Sequence, residues 1–286
     1  MTMVKVLVGI LGVAALVYLG LCGWLWASQR RLIFLPSAEL TTTPADLGLA
    51  YETVVIPVGE GGRIHGWWLP GQGAPPLTVL YLHGNAGNIS TNLGRTALLR
   101  SLGVSVLTID YRGYGLSSGP LATEHRLYED AEAAYRYLHQ DRGIDPSQLV
   151  IYGHSLGGAI ALDLAGRVPG LAALIIDASF TSMVDMVVLS RYNRWFPVRY
   201  LLTQRFDSLT KVESLSLPIF YIHGLADIDI PPSMTERLYQ ATPGPKSIWL
   251  VAGVDHNNLP EVAGTELEYR LQQFFQLHLN LTLPST

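Results

Sequence analysis

Two pentapeptides in the chain match Gly-x-Ser-x-Gly: Gly115-Leu116-Ser117-Ser118-Gly119 and Gly153-His154-Ser155-Leu156-Gly157. A serine that attacks a carbonyl needs its hydroxyl lifted clear of the backbone. The pattern achieves this only where a strand runs straight into the turn and a helix starts straight after it. The second match has that setting: Leu149-Val150-Ile151-Tyr152 leads in and the helix-forming run Leu156–Val168 leads out. The first follows the loop Tyr111-Arg112-Gly113-Tyr114 and is separated from the next helix by Pro120. Ser155 is therefore the candidate nucleophile, and Ser117 reads as a loop residue.

A serine hydroxyl is a poor nucleophile without a base, and in sites built on such an elbow the acid and then the histidine follow the serine along the chain. His223, His256 and His278 lie beyond Ser155. His223 ends an apolar run and reads as structural, and His278 falls in the terminal helix. His256 sits in the loop after Ser247–Val251, where the base belongs. For the acid, Asp227 and Asp229 compete in the loop after Ile219–Ile222. Asp255 is a weaker third, because its neighbour His256 would have to fold back upon it. Asp227 is preferred, with the role of holding the imidazole in one tautomer and stabilising the imidazolium. The tetrahedral intermediate also needs donors aimed at its oxyanion. The N–H of Leu156 is one candidate and the N–H of Asn85, in the Gly-rich stretch His83–Asn88, is the other; an ordinary turn is the alternative role for Asn85. That stretch lacks the Gly-Lys-Ser/Thr of a phosphate-binding loop, and no Cys/His set has zinc-ligand spacing. Neither metal nor cofactor is expected.

These residues need a scaffold, and the chain offers an alternating one. Thr78–Leu82, Val104–Ile109, Leu149–Tyr152, Leu171–Ile176, Ile219–Ile222 and Ser247–Val251 are short apolar runs bounded by turn residues, the signature of buried parallel strands. Thr53–Val58 and Arg63–Leu69 flank Gly59-Glu60-Gly61-Gly62 and read as a hairpin. In Thr123–Gln140, Leu127, Ala131, Ala134 and Leu138 share one helical face; Leu156–Val168 and Glu261–Leu279 also read as helices. Alternating strands and helices imply an α/β fold, a mostly parallel sheet with helices on both faces. Residues 180–210 interrupt the alternation with a long aromatic and basic stretch, read as a cap or lid insertion; a long surface connection is the alternative.

Val6–Ala27 carries no charge over 22 residues, which as a helix spans about 33 Å, the thickness of a bilayer's hydrocarbon core. Tyr18, Trp24 and Trp26 suit an interfacial position, and Arg30 and Arg31 follow. A cleaved signal peptide would have a shorter apolar core ending in small residues, which Leu25-Trp26-Ala27 does not supply. Residues 4–27 are therefore read as a transmembrane anchor, 28–50 as a connecting segment and 51–280 as the α/β domain. Lys5 on one side and Arg30 and Arg31 on the other leave the orientation open. With a net charge of −4 and 15% charged residues, no basic patch marks a nucleic-acid partner. The single cysteine, Cys22, can form no internal disulfide.

Taken together, LHGNAGN (82–88), DYRGYGLSSG (110–119), YGHSLGGAIA (152–161), ASFTSMVDM (178–186), HGLAD (223–227) and DHNNLPEV (255–262) resemble the Bem46-like branch of the α/β hydrolases. The resemblance implies the α/β-hydrolase fold and a membrane-associated hydrolase of acyl esters or thioesters, some relatives removing acyl chains from S-acylated proteins. Asn258 departs from the pattern, which has an acidic residue two places after the histidine. The expected partners are an acyl ester or thioester and the lipid bilayer. Anchor and insertion are expected to act together: Met183, Met186, Val187, Val188, Leu189, Trp195, Phe196, Leu201 and Leu202 offer a surface for an alkyl chain, and Arg191, Arg194, Arg199 and Arg205 a surface for anionic head groups. A catalytically silent scaffold and a serine peptidase are the alternatives; dehalogenases and epoxide hydrolases require aspartate at position 155.

Overall fold

Short runs of Val, Ile, Leu and Tyr that are apolar at every position can be satisfied only where both faces of a strand are covered. In the computed structural model, which describes residues 2–59, 61–72, 77–189 and 191–281, these runs form the interior of one eight-stranded sheet. Numbered in chain order its strands are β1 (Glu52–Pro57), β2 (Arg63–Leu69), β3 (Thr78–Leu82), β4 (Ser105–Ile109), β5 (Leu149–His154), β6 (Ala173–Asp177), β7 (Ile219–Gly224) and β8 (Lys246–Val251). Their spatial order is β8-β7-β6-β5-β3-β4-β2-β1. All pairings are parallel except those of β2, which runs antiparallel to both β1 and β4. Every residue of β3, β5, β6 and β7 is buried, whereas the edge strand β1 alternates.

Successive side chains of a strand point to opposite faces, and the core divides accordingly. Leu80, Leu82 and Ile151 pack against one helical layer; Val79, Tyr81 and Val150 pack against the other. The first layer holds α3 (Glu124–Arg136), α4 (Leu156–Arg167) and α8 (Pro232–Ala241), and the second holds α2 (Leu93–Ser101) and α9 (Leu259–Leu279). In α3, Leu127, Ala131 and Ala134 lie on the buried face that their spacing predicts, and the helix closes in a π-turn at Tyr137–Asp141. Two helices had no clear sequence signal, α2 and α8. Both are short, with buried faces that include polar or charged residues (Arg95 and Thr96 in α2, Thr235 in α8).

The first helix, α1 (Thr2–Ile33), continues six residues past Ala27 into the stretch read as a connector. Gln29, Arg30 and Arg31 are good helix formers, and the helix stops just before Pro36. Beyond it Leu35–Pro36 pairs with Ala86–Gly87, so the connector is tied to the loop after β3. Residues 180–210 contain α5 (Met183–Leu189), a 3₁₀ turn at Arg191–Arg194, α6 (Val198–Leu201) and the start of α7 (Ser208–Val212); Ser190 lies outside the described residues. The returning end of this segment is fixed by Glu124, whose carboxylate accepts from the N–H groups of Arg205 and Phe206 at 2.5 and 2.9 Å. Phe206 itself is fully buried against Phe34, Tyr128 and Phe180.

Candidate active site

The elbow after β5 is held by close backbone contact. A Cβ on Gly157 would lie 2.0 Å from the Leu82 carbonyl oxygen, and one on Gly153 would lie 2.3 Å from that of Gly157. Only glycine fits at either place. Between them Ser155 adopts φ 55° and ψ −117°, a sparsely populated conformation costing on the order of 1–3 kcal/mol. The turn offsets that cost with hydrogen bonds: Ser155 N–H donates to Asp177 O at 2.8 Å, and Ser155 O accepts from Gly158 N–H and Ser179 Oγ. Ser155 Oγ is thereby presented at the C-terminal edge of the sheet, where open α/β sheets place their ligands.

The loops after β7 and β8 meet it there. His256 Nε2 lies 3.0 Å from Ser155 Oγ, and His256 Nδ1 lies 2.7 Å from Asp227 Oδ2. Because Nδ1 faces a carboxylate it carries the proton, leaving Nε2 to accept from the serine hydroxyl. Asp227 Oδ1 accepts from the N–H groups of Asp229 and Ile230 at 2.9 and 2.8 Å. His223, expected to be structural, touches the acid directly: its Nε2 lies 3.1 Å from Asp227 Oδ2 and 2.9 Å from Ile230 O, two acceptors that place the proton there. Burial alone would raise the Asp227 carboxyl, but the hydrogen bonds from His223, His256 and Ile230 outweigh it and hold its pKa well below the ordinary range.

The competing candidates lie elsewhere. Asp229 is exposed at the cavity rim. Asp255 staples its own loop, accepting from the N–H groups of Asn257 and Asn258 and from Asn258 Nδ2. Asn258 thus closes the turn that carries His256. Ser117 Oγ accepts from His65 N–H and donates to Asp110 O, both at 2.7 Å, as a loop fastener does. His278 lies on α9, remote from the elbow, its ring against Phe274. Leu156 opens α4, where the first N–H groups have no intrahelical acceptor. Asn85 lines the same cavity as Ser155, its Nδ2 donating to Ile33 O and its carbonyl accepting from Leu35 N–H and Tyr114 Oη.

Sequence reasoning missed a buried support behind His256. His154, within the elbow, places Nε2 3.0 Å from His256 O, and Arg95 Nη1 donates to Asn257 O at 3.1 Å. Arg95 Nε is held by Asp177 Oδ2 at 2.8 Å, which also accepts from Tyr152 Oη. An arginine on a helix and an aspartate ending an apolar strand are buried charges that must be paired, and that was the available signal. Burial, with the nearby Arg95 charge, lowers the pKa of His154 to about 3, and burial lowers that of His83.

This has a stability consequence. Between the ordinary histidine value of about 6.5 and a His154 value of about 3, the unfolded chain binds the proton and the folded chain does not. Stability is full above that window and falls as pH drops through it, by up to about 1.4 kcal/mol per pH unit for each such histidine. From pH 7 to pH 5 this lowers the Tm, against the opposite contribution of Asp130, whose carboxyl is raised by burial to about 6, so the part due to His154 is read from the difference between wild type and variant. His154→Gln, which keeps a donor toward His256 O, is expected to flatten the slope. An unchanged slope in His154→Gln would show that His154 is not held neutral.

Above the elbow lies a cavity of about 730 Å³, within the ordinary range for small-molecule sites. Its floor carries Ser155, Leu156, His256 and Asn85. Phe180, Met183, Met186 and Leu201 of the 180–210 segment form one wall, and Leu25, Gln29 and Leu32 of α1 form another. Of the apolar cap residues expected to face a substrate, Met183, Met186, Val187, Leu201 and Leu202 line it. Leu189 and Trp195 are exposed instead. Arg194 and Arg199 are exposed, Arg205 pairs with Asp207, and the side chain of Arg191 lies outside the described residues.

The strand order, the single antiparallel excursion and a serine elbow between strand and helix define an α/β hydrolase. A profile described as alpha/beta hydrolase fold matches residues 78–272. An uncharacterized protein of Mycobacterium tuberculosis is 36% identical over 254 residues, covering 88% of this chain and 89% of that one. Protein bem46 of Schizosaccharomyces pombe is 30% identical, covering 76% of each. The Pyrococcus furiosus esterase Pf2001 shares the fold with a TM-score of 0.70 at 20% identity, covering 86% of this chain and 99% of that one. The chain belongs to the α/β-hydrolase family and, within it, to the Bem46-like branch.

Proposed function

We propose that this chain is a membrane-anchored serine hydrolase that cleaves carboxylic esters or thioesters carrying a lipid-like or S-acyl group. The observation that carries the reading is the hydrogen-bonded series Ser155 Oγ–His256–Asp227 at the floor of a largely apolar cavity. His256 Nε2 takes the proton as Ser155 Oγ attacks the acyl carbon. Asp227 holds the imidazole and stabilises the imidazolium. The N–H groups of Leu156 and Asn85 receive the developing oxyanion. His256 then returns the proton to the leaving alcohol or thiol, and water, deprotonated by the same nitrogen, releases the acid and restores Ser155. No metal or cofactor enters these steps.

Membrane attachment is part of the proposal. Over α1 an 18-residue window has a mean hydropathy of 2.4, and only 6% of that window is buried. Leaving such a surface in water is unfavourable, and a bilayer would cover it. Attachment would also raise the local concentration of a bilayer-resident substrate without any new contact.

The test is labelling of the full chain with a fluorophosphonate, followed by competition with a panel of lipid esters, acyl thioesters and peptides. Covalent attachment to Ser155, relieved by long-chain esters or thioesters, is the expected result. A properly folded chain that does not label would point to a silent scaffold. Competition by peptides alone would point to a peptidase.

A further inference from the structure

The anchor helix is ordinarily a tether, yet here it touches the catalytic cavity. Along α1 the residues Tyr18, Cys22, Leu25, Gln29 and Leu32 recur at helical spacing and form one stripe. Tyr18 stacks on Phe196 with ring centroids 5.9 Å apart, and its hydroxyl donates to Trp195 O at 3.2 Å. Cys22 is buried. Gln29 is only 8% exposed, and both ends of its amide are used: Nε2 donates to Trp26 O and Leu201 O, and Oε1 accepts from Thr203 N–H at 2.7 Å. Leu25 and Leu32, on the same stripe, line the cavity above Ser155. The stripe therefore clamps α1 to the cap at two levels, Tyr18 and Gln29, and contributes a wall of the cavity at Leu25, Gln29 and Leu32.

The bilayer sets where this contact falls. The helix above the first cap contact, residues 2–17, is 16 residues long and rises about 24 Å, less than the roughly 30 Å of a hydrocarbon core. Counting the roughly 20 apolar residues a spanning helix needs from Val6, the first residue after Lys5, brings the hydrocarbon boundary to Leu25. The cap tip at Trp195 and Phe196 meets the helix at Tyr18, seven residues or about 10 Å to the hydrocarbon side of that boundary. Its exposed aromatic residues, Trp195 at 70% and Tyr200 at 89%, are surfaces a bilayer would cover, and the long side chains of Arg194 and Arg199 beside them can reach back toward the interface.

We infer that α1 and the cap together form an acyl-chain slot that opens at hydrocarbon level, so that a long acyl chain passes from the bilayer between Leu25 and the cap to Ser155 without crossing water. This rests on the hydrolase reading above and names its substrate class, a membrane-resident long-chain ester or thioester. The anchor is then part of the binding site, and cutting the chain near residue 30 removes a wall of the cavity as well as the attachment.

The experiment uses the full chain in phosphatidylcholine vesicles. A hexadecyl fluorophosphonate with a diazirine at its chain end is reacted with Ser155 and irradiated. Cross-links are expected on residues 24–33 as well as on the cap; cross-links that exclude α1 would overturn the slot. In parallel, Leu25→Trp and Leu32→Trp are expected to lower the ratio of kcat/KM for a hexadecanoyl thioester to that for a butanoyl thioester at least tenfold. Leu16→Trp, on the opposite face of the helix from Leu25 and 70% exposed, is expected to leave the ratio unchanged. Equal ratios in all three variants overturn the slot while leaving the hydrolase reading intact, provided that Ser155 still labels. Failure of the folded wild-type chain to label overturns both.

Discussion

Ser155→Ala is expected to abolish fluorophosphonate labelling and to lower kcat by about 10⁴-fold or more. The size follows from what the alanine removes. Covalent catalysis divides acyl transfer into two steps, and without the hydroxyl His256 has no proton to take and no acyl-enzyme forms. What survives is the contribution of the oxyanion donors and of substrate binding, which cannot replace a nucleophile. The side-chain change leaves the fold intact, because the elbow is held by the backbone: Ser155 N–H to Asp177 O and Gly158 N–H to Ser155 O. Ser117→Ala is the matched control. That hydroxyl joins His65 N–H to Asp110 O, so its loss costs about 1 kcal/mol of stability while labelling of Ser155 persists. Full labelling of the Ser155→Ala protein would remove Ser155 from the mechanism.

Asp227→Asn is expected to lower kcat by about three to four decades, because an amide in place of the carboxylate favours the wrong imidazole tautomer. Here the loss extends beyond His256. The same carboxylate accepts from His223 Nε2 and from two backbone N–H groups, so the amide must turn its NH₂ toward one set of donors or the other. The variant should therefore also be less stable. The wild-type carboxyl, held below its ordinary value, contributes stability that is present above about pH 4 and lost as pH falls toward the folded value. Asp229→Asn should leave kcat nearly unchanged, since that side chain is exposed at the cavity rim. If the Asp229 change proved the more damaging, the roles of the two aspartates would have to be exchanged.

The order of elements and the elbow were legible in the chain because they depend on local rules. A strand buried on both faces must be apolar throughout, as Thr78–Leu82 and Ile219–Ile222 are. A turn too tight for a β-carbon must be glycine, as at Gly153 and Gly157. The helices α2 and α8 were less legible because parts of their buried faces are polar. Arg95 and Thr235 are inside only because Asp177 and His223 receive them, partners on strands separate from those helices and, for Arg95, 82 residues away. The end of the first helix was not legible for a similar reason. Hydropathy stops at Ala27, but the helix goes on through Gln29 because the cap backbone at Leu201 and Thr203 satisfies that amide.

The sequence by itself determined the fold family, the nucleophile candidate and the presence of a membrane-length apolar helix, since each is written in residues that are neighbours or that repeat at a fixed period. Only the tertiary structure decided that Asp227 rather than Asp229 meets His256, that His154 and Arg95 hold the carbonyls of residues 256 and 257, and that α1 walls the cavity. In each of those cases the partners are brought together by sheet and cap packing across long stretches of chain, 172 residues from Gln29 to Leu201. Periodicity and turn chemistry report how a segment meets its own neighbours along the chain; which distant surface it then covers is set by how the layers close around the sheet.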